Sequence, residues 1–104
     1  MISRETIAEM AQKLGERFAP RKVILFGSHA RGAAGARSDV DFLVIAETTL
    51  PRTRRSVALY SLLREYPYSK DILVYTPKEV EEYAGLPGSL VAAALRDGVV
   101  LYEG

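Results

Sequence analysis

Lys22-Val23-Ile24-Leu25-Phe26, closed by Gly27-Ser28, and Ser38-Asp39-Val40-Asp41-Phe42-Leu43-Val44-Ile45 are the two stretches whose reading decides the fold. Each apolar run is short, rich in β-branched and aromatic residues, and bounded by turn residues, which predicts a buried strand. The second run is apolar on both faces beyond Asp41, as expected of a central strand covered on both sides. Between the two lies a Gly-, Ala- and Arg-rich stretch, residues 28–38, with one helical turn expected around Ala30 to Ala34.

Working outward, Ile7, Met10, Ala11, Leu14 and Phe18 recur at helical spacing. Ser3 is placed to cap that helix and Pro20 to stop it. Pro51 is expected to open a helix running to about Tyr66, with Val57, Tyr60 and Leu63 on its buried side and Pro67 ending it. Ile72 to Tyr75 reads as a third strand entered through Asp71. Thr76-Pro77-Lys78-Glu79 carries an N-cap, a proline at the first helical position and a capping-box glutamate, predicting a helix over 77–84. Ser89 to Arg96 reads as a last helix ending near Gly98, and Val99 to Tyr102 as a short edge strand. The order α-β-β-α-β-α-α-β describes an α/β domain, a small mixed sheet flanked by helices, with residues 1–104 as one unit.

Composition narrows the chemistry. The 104 residues are 48% hydrophobic and 26% charged, with a net charge of +1, so no global field draws the chain to nucleic acid or to anionic lipid. There is no cysteine, which excludes a disulfide framework and a thiolate nucleophile. His29 is the sole histidine, so any metal must be held by oxygen. No apolar run approaches a membrane span and the first segment is amphipathic, predicting a soluble cytoplasmic protein.

Three carboxylates fall at strand starts: Asp39, Asp41 and Asp71. Asp39 and Asp41 are two apart, so on a strand they share a face with Cα atoms about 6.5 Å apart while Val40 points into the core. Carboxylates converging to about 5 Å repel by roughly 3 kcal/mol at an effective dielectric of 20. A cation or a bound proton relieves that repulsion, and Mg²⁺ suits a set of oxygen donors completed by water and phosphate. An Asp-x-Asp is also an ordinary loop-to-strand transition, and Asp71 an ordinary turn residue. Gly27-Ser28 reads the same two ways. A glycine lets phosphate approach the backbone and a serine can donate to it, yet Gly-Ser after a strand is commonly just a turn.

Taken together, Phe26-Gly27-Ser28-His29-Ala30-Arg31-Gly32, then Ser38-Asp39-Val40-Asp41-Phe42-Leu43-Val44, resembles the signature of the DNA polymerase beta-type nucleotidyltransferase superfamily. The Ala-Arg-Gly after Gly-Ser, the Ser before the first Asp and the compact length resemble its minimal nucleotidyltransferase branch. The resemblance implies a nucleotidyltransferase fold in which Asp39, Asp41 and Asp71 hold two Mg²⁺ ions. It further implies attack of a hydroxyl on the α-phosphate of a nucleoside triphosphate such as ATP. Asp71 would orient or deprotonate that hydroxyl, while Gly27, Ser28 and Arg31 would hold the β- and γ-phosphates.

The larger superfamily members carry a further domain for the acceptor. The minimal branch implies a partner instead: a HEPN-type ribonuclease toxin, with AMP transferred to one of its tyrosines and this chain as antitoxin. A non-catalytic antitoxin that masks its toxin, and transfer to a small molecule, stand as alternatives. His29 is expected to be an exposed loop residue, and Arg37 a surface one. Arg52, Arg54 and Arg55 read as a solvated basic face, Tyr66 and Tyr68 as half-buried packing residues.

Overall fold

The computed structural model describes residues 2–35 and 37–104. Helix α1, Arg4–Phe18, starts where the Ser3 side chain accepts the N–H of Thr6, and ends at Ala19 in the left-handed conformation (φ 47°), just before Pro20. Strand β1, Lys22–Phe26, is followed by β2, Val40–Ile45. A 3₁₀ turn, Arg52–Arg54, precedes α2, Val57–Leu62. Then come β3, Lys70–Tyr75; α3, Pro77–Ala84; α4, Leu90–Asp97; and β4, Val99–Glu103. The sheet order is β3-β2-β1-β4, with β2 and β3 parallel and both other pairs antiparallel. The expected mixed sheet is therefore present, with β2 inside it and β4 at an edge.

The alternation along β2 divides the molecule into two cores. Val40, Phe42 and Val44 pack with Val23, Leu25, Ile72 and Val74 of the neighbouring strands against Ile7, Met10 and Leu14 of α1, and against Leu59 and Leu63. Leu43 and Ile45 face the other way, with Ile24, Phe26, Ala94 of α4 and Val80 of α3. Phe42 is wholly buried, a contribution of about 2–3 kcal/mol. Asp41 and Asp71 interrupt the second face: each begins the alternating row that continues through Leu43 and Ile45, or through Leu73 and Tyr75.

The helix expected over 51–66 is broken. Arg55 is the cause: its guanidinium donates to the carbonyls of Leu50 and Val74 and to Glu79, which fastens the segment to the end of β3. Only 57–62 then winds as α-helix, and the buried residues are Leu59 and Leu63. Val57 is 63% exposed, contrary to the helical spacing, and Tyr60 turns outward so that its hydroxyl accepts the N–H of Ile72. Of the expected solvated basic face, Arg55 departs, its side chain 11% exposed and paired with Glu79, while Arg52 pairs with the same carboxylate and stays exposed, as does Arg54. Arg52 also lies over the rings of Tyr75 and Tyr83. Tyr66 is buried more deeply than expected, with its hydroxyl donating to Glu9. The turn expected near Ala30 to Ala34 forms as hydrogen-bonded turns and not as a helix, with Arg31 N–H donating to Gly27 and Ala33 N–H to Ser28. Among the described residues no helix is long and apolar enough to cross a membrane.

Candidate active site

Asp41 and Asp71 are brought together by the parallel register, which pairs them directly across β2 and β3. Adjacent strands lie about 4.8 Å apart, so two carboxylates on one face at the same level crowd each other. Asp41 responds: burial first, then the charges of Asp71 and Asp39, push its carboxyl up to about 6, while His29 pulls the other way. Asp39 sits one residue before β2 and is exposed, as is Asp71; Asp41 is half-buried. Val40 between them is fully buried, as the two-residue spacing requires.

Gly27 abuts this pair. Phe26 is in register with Asp41, and Gly27 follows it with φ +76°, a conformation that L side chains rarely adopt. A Cβ there would fall on Oδ2 of Asp41. The glycine is thus required twice, by the turn and by the carboxylate. Beyond it, the N–H groups of Ser28, His29 and Ala30 find no backbone acceptor among the described residues, leaving donors at the turn for an anion.

Gly27, Arg31 and Asp41 line one cleft of about 290 Å³, whose other walls are Phe26, Leu90, Ala93 and Asp97. Arg31 is exposed and sits close enough to Asp97 to help lower its carboxyl below the usual range, after the larger effect of Arg96. The α4 wall was not singled out from sequence. Its signal was the spacing of Leu90, Ala93 and Asp97, three and then four apart, which places them on one helical face. His29 was misread: it is 8% exposed, with its Nε2 3.3 Å from the Ser38 carbonyl oxygen. Arg37 is exposed, as expected.

The donor chemistry fits a hard cation. Three carboxylates fall at the strand starts, and Asp41 is driven toward protonation by burial first and then by the charges of Asp71 and Asp39, which a cation would offset. Among the described residues no three acidic or histidine side chains converge into a ready cage. Mg²⁺ takes one or two carboxylates and completes its shell with water and phosphate.

The profile of the nucleotidyltransferase domain matches residues 7–101. The chain belongs to this family. It is 42% identical over 66 residues to a candidate protein adenylyltransferase, MJ1305 of Methanocaldococcus jannaschii; the match covers 62% of this chain and 43% of that protein. The chain therefore aligns with less than half the length of that relative. Among solved structures, a candidate minimal nucleotidyltransferase is 30% identical, with a TM-score of 0.55, over 91% of this chain and 89% of the other. A toxin–antitoxin structure with AMP-PNP superposes with a TM-score of 0.65 at 22% identity, over 93% of this chain and 73% of that one, and shares the fold. The nucleotidyltransferase fold expected from the Gly-Ser and Asp-Val-Asp segments is the fold observed.

Proposed function

We propose that the chain transfers AMP from ATP to a hydroxyl, with a tyrosine of a HEPN-type toxin as the acceptor and antitoxin as its role. The observation that carries this reading is the in-register Asp41–Asp71 pair with Gly27 closed onto Asp41, where Asp41 and Gly27 line one cleft with Arg31. The family match supports the class of reaction. The adenylyltransferase relative and the toxin–antitoxin neighbour support the choice of nucleotide and partner.

In this reading Asp39 and Asp41, with Asp71, would hold two Mg²⁺ ions. When bound, the metal neutralises phosphate charge and makes the attacking oxygen more acidic. The free N–H groups after Gly27, the Ser28 hydroxyl and the Arg31 guanidinium bind and orient the β- and γ-phosphates. Asp71 lies at the open edge of the sheet, where an acceptor hydroxyl can approach, and takes its proton as the oxygen attacks the α-phosphorus. The new P–O bond forms as the bond to the β-phosphate oxygen breaks, and pyrophosphate leaves.

The test is incubation with α-labelled ATP, Mg²⁺ and a purified HEPN-type toxin as acceptor. Label on a tyrosine of that protein, abolished by EDTA, is the expected result. Label released on a small molecule would shift the acceptor class. No transfer from any of the four ribonucleoside triphosphates would overturn the reading.

A further inference from the structure

His29 has no part in the mechanism above, yet it is the buried polar side chain of the site region, 8% exposed in a loop whose neighbouring residues are mostly open to solvent. Its Nε2 meets the Ser38 carbonyl oxygen at 3.3 Å. A carbonyl only accepts, so Nε2 carries the proton and donates. The bond spans the loop, joining the limb that begins with Ser28 to the limb that delivers Asp39.

Asp39 itself lies outside β2 and is exposed, so no packing of its own side chain fixes it. Its position depends on the peptide units on either side. On the far side, Val40 N–H donates to the Ser69 carbonyl at 3.0 Å. On the near side, Ser38 N–H donates to the Gly35 carbonyl and its hydroxyl accepts Gly35 N–H, which closes a small turn on itself. Among the described residues, the bond that ties this turn to the rest of the site is the one from His29.

We infer that His29 is a positioning residue for Asp39, clamping the Ser38 carbonyl so that the phosphate-binding limb and the first carboxylate move as one. The clamp stands on geometry alone; its consequence for metal binding rests on the nucleotidyl-transfer reading.

Two substitutions separate position from bulk. The amide nitrogen of Gln reaches about as far from the backbone as Nε2 of His, whereas that of Asn reaches only as far as Nδ1. His29→Gln therefore keeps the donor at Ser38 and His29→Asn removes it. Two measurements are made on each: amide hydrogen exchange at Ser38 and Val40 in the protein alone, and Mg²⁺ affinity with a non-hydrolysable ATP analogue. We expect wild type and His29→Gln to agree on both. His29→Asn should exchange faster at these amides and bind Mg²⁺ about tenfold more weakly, the usual effect of losing an outer partner of a ligand. Because a buried Asn could unfold the loop, His29→Ala is run with and without added imidazole. The ring borders an open cleft of about 170 Å³, through which imidazole can enter and restore both readouts.

Wild-type exchange in His29→Asn, unchanged Mg²⁺ affinity in it, or a His29→Gln protein as impaired as His29→Asn would each overturn the proposal. A wild-type protein that binds no Mg²⁺ with nucleotide defeats the nucleotidyl-transfer reading instead, and the exchange measurement alone then decides the clamp.

Discussion

Asp41 and Asp71 stand opposite each other across the parallel β2–β3 pair, and the fold holds them there with backbone hydrogen bonds that neither side chain makes. The sheet would be more stable without one of the two charges. An arrangement that costs folding energy and opens to a cleft is typical of a site built for a cation or a proton.

Replacing Asp41 by Asn should therefore abolish transfer without destabilising the protein. The carboxyl is raised to about 6 from an ordinary 3.8, so it favours the folded state below about pH 4 and costs stability as pH rises through 6. The carboxyl is half-exposed and screened by water, so the gain in Asp41→Asn at pH 8 is on the order of 1 kcal/mol. It should vanish near pH 4. Melting curves in EDTA at the two pH values check both halves. A lower melting temperature for the variant at pH 8 would mean that Asp41 is held by structural hydrogen bonds.

Gly27 tests the same site from the other strand. Any side chain there meets Asp41 Oδ2 and is strained by the φ of +76°. Gly27→Val should lower stability by about 1–2 kcal/mol, the usual left-handed penalty, and should also displace the carboxylate and block Mg²⁺-ATP binding. Urea unfolding gives the first quantity and calorimetry the second. Unchanged nucleotide affinity in a folded variant would remove Gly27 from the site.

Glu79 makes the fold acid-sensitive. Arg55, then the Thr76 N–H, then Arg52 hold its carboxyl at about 2, against an ordinary 4.5. A lowered pKa gives stability that is present above pH 4.5 and is lost as pH falls from there toward 2. Glu79→Gln should cost about 2 kcal/mol at neutral pH, because the mostly buried Arg55 guanidinium loses its charged acceptor. Its acid-unfolding curve should be flatter than the parent's between pH 4.5 and 2. Parallel curves would locate the acid sensitivity elsewhere.

Those contacts also show what the sequence could and could not disclose. The strands were legible because β1 and β2 are apolar on both faces, a pattern that only a covered central strand tolerates. Helix α3 was legible from four residues, since Thr76, Pro77 and Glu79 fix its start locally, and the capping box is present. The 51–66 helix was not, because Arg55 is held by Val74 and Glu79, about twenty residues away, and periodicity carries no record of such a bond. His29 was misjudged for the same reason: its burial depends on the far limb of its own loop. The Gly-Ser and Asp-x-Asp spacing pointed to the right family and to the right ends of the right strands, while the wall that α4 adds to the cleft emerged only from the packing of that helix on β1.

Gly15 separates local preference from packing. In an exposed helix Ala would be favoured over Gly by about 1 kcal/mol. Here a Cβ would fall inside the ring of Tyr102, which lies across α1 from β4. Gly15→Ala should destabilise by about 1–3 kcal/mol, the cost of overpacking, with the sign opposite to propensity. A urea midpoint at or above that of the parent would show that Tyr102 moves aside freely.

Asp71 divides chemistry from masking. Its carboxylate is exposed at the sheet edge, and the next peptide is held by Tyr60, so Asp71→Asn should leave the backbone in place. The variant keeps Asp39, Asp41 and the Ser28 turn, and is expected to retain Mg²⁺-ATP binding. In the proposed mechanism it loses the group that receives the acceptor's proton, so transfer should fall by roughly 10²–10⁴-fold. Complex formation with the proposed toxin partner should persist, since Asp71→Asn removes only one charge at the strand edge. Three measurements are needed on the same preparation: nucleotide affinity, transfer rate and co-purification with the toxin. A fourth is survival of cells carrying the toxin at equal expression of parent and variant. Loss of protection with the complex intact means that neutralisation needs the chemistry. Full protection by a variant that no longer transfers would make this chain an antitoxin that works by masking, with its carboxylates idle in that role.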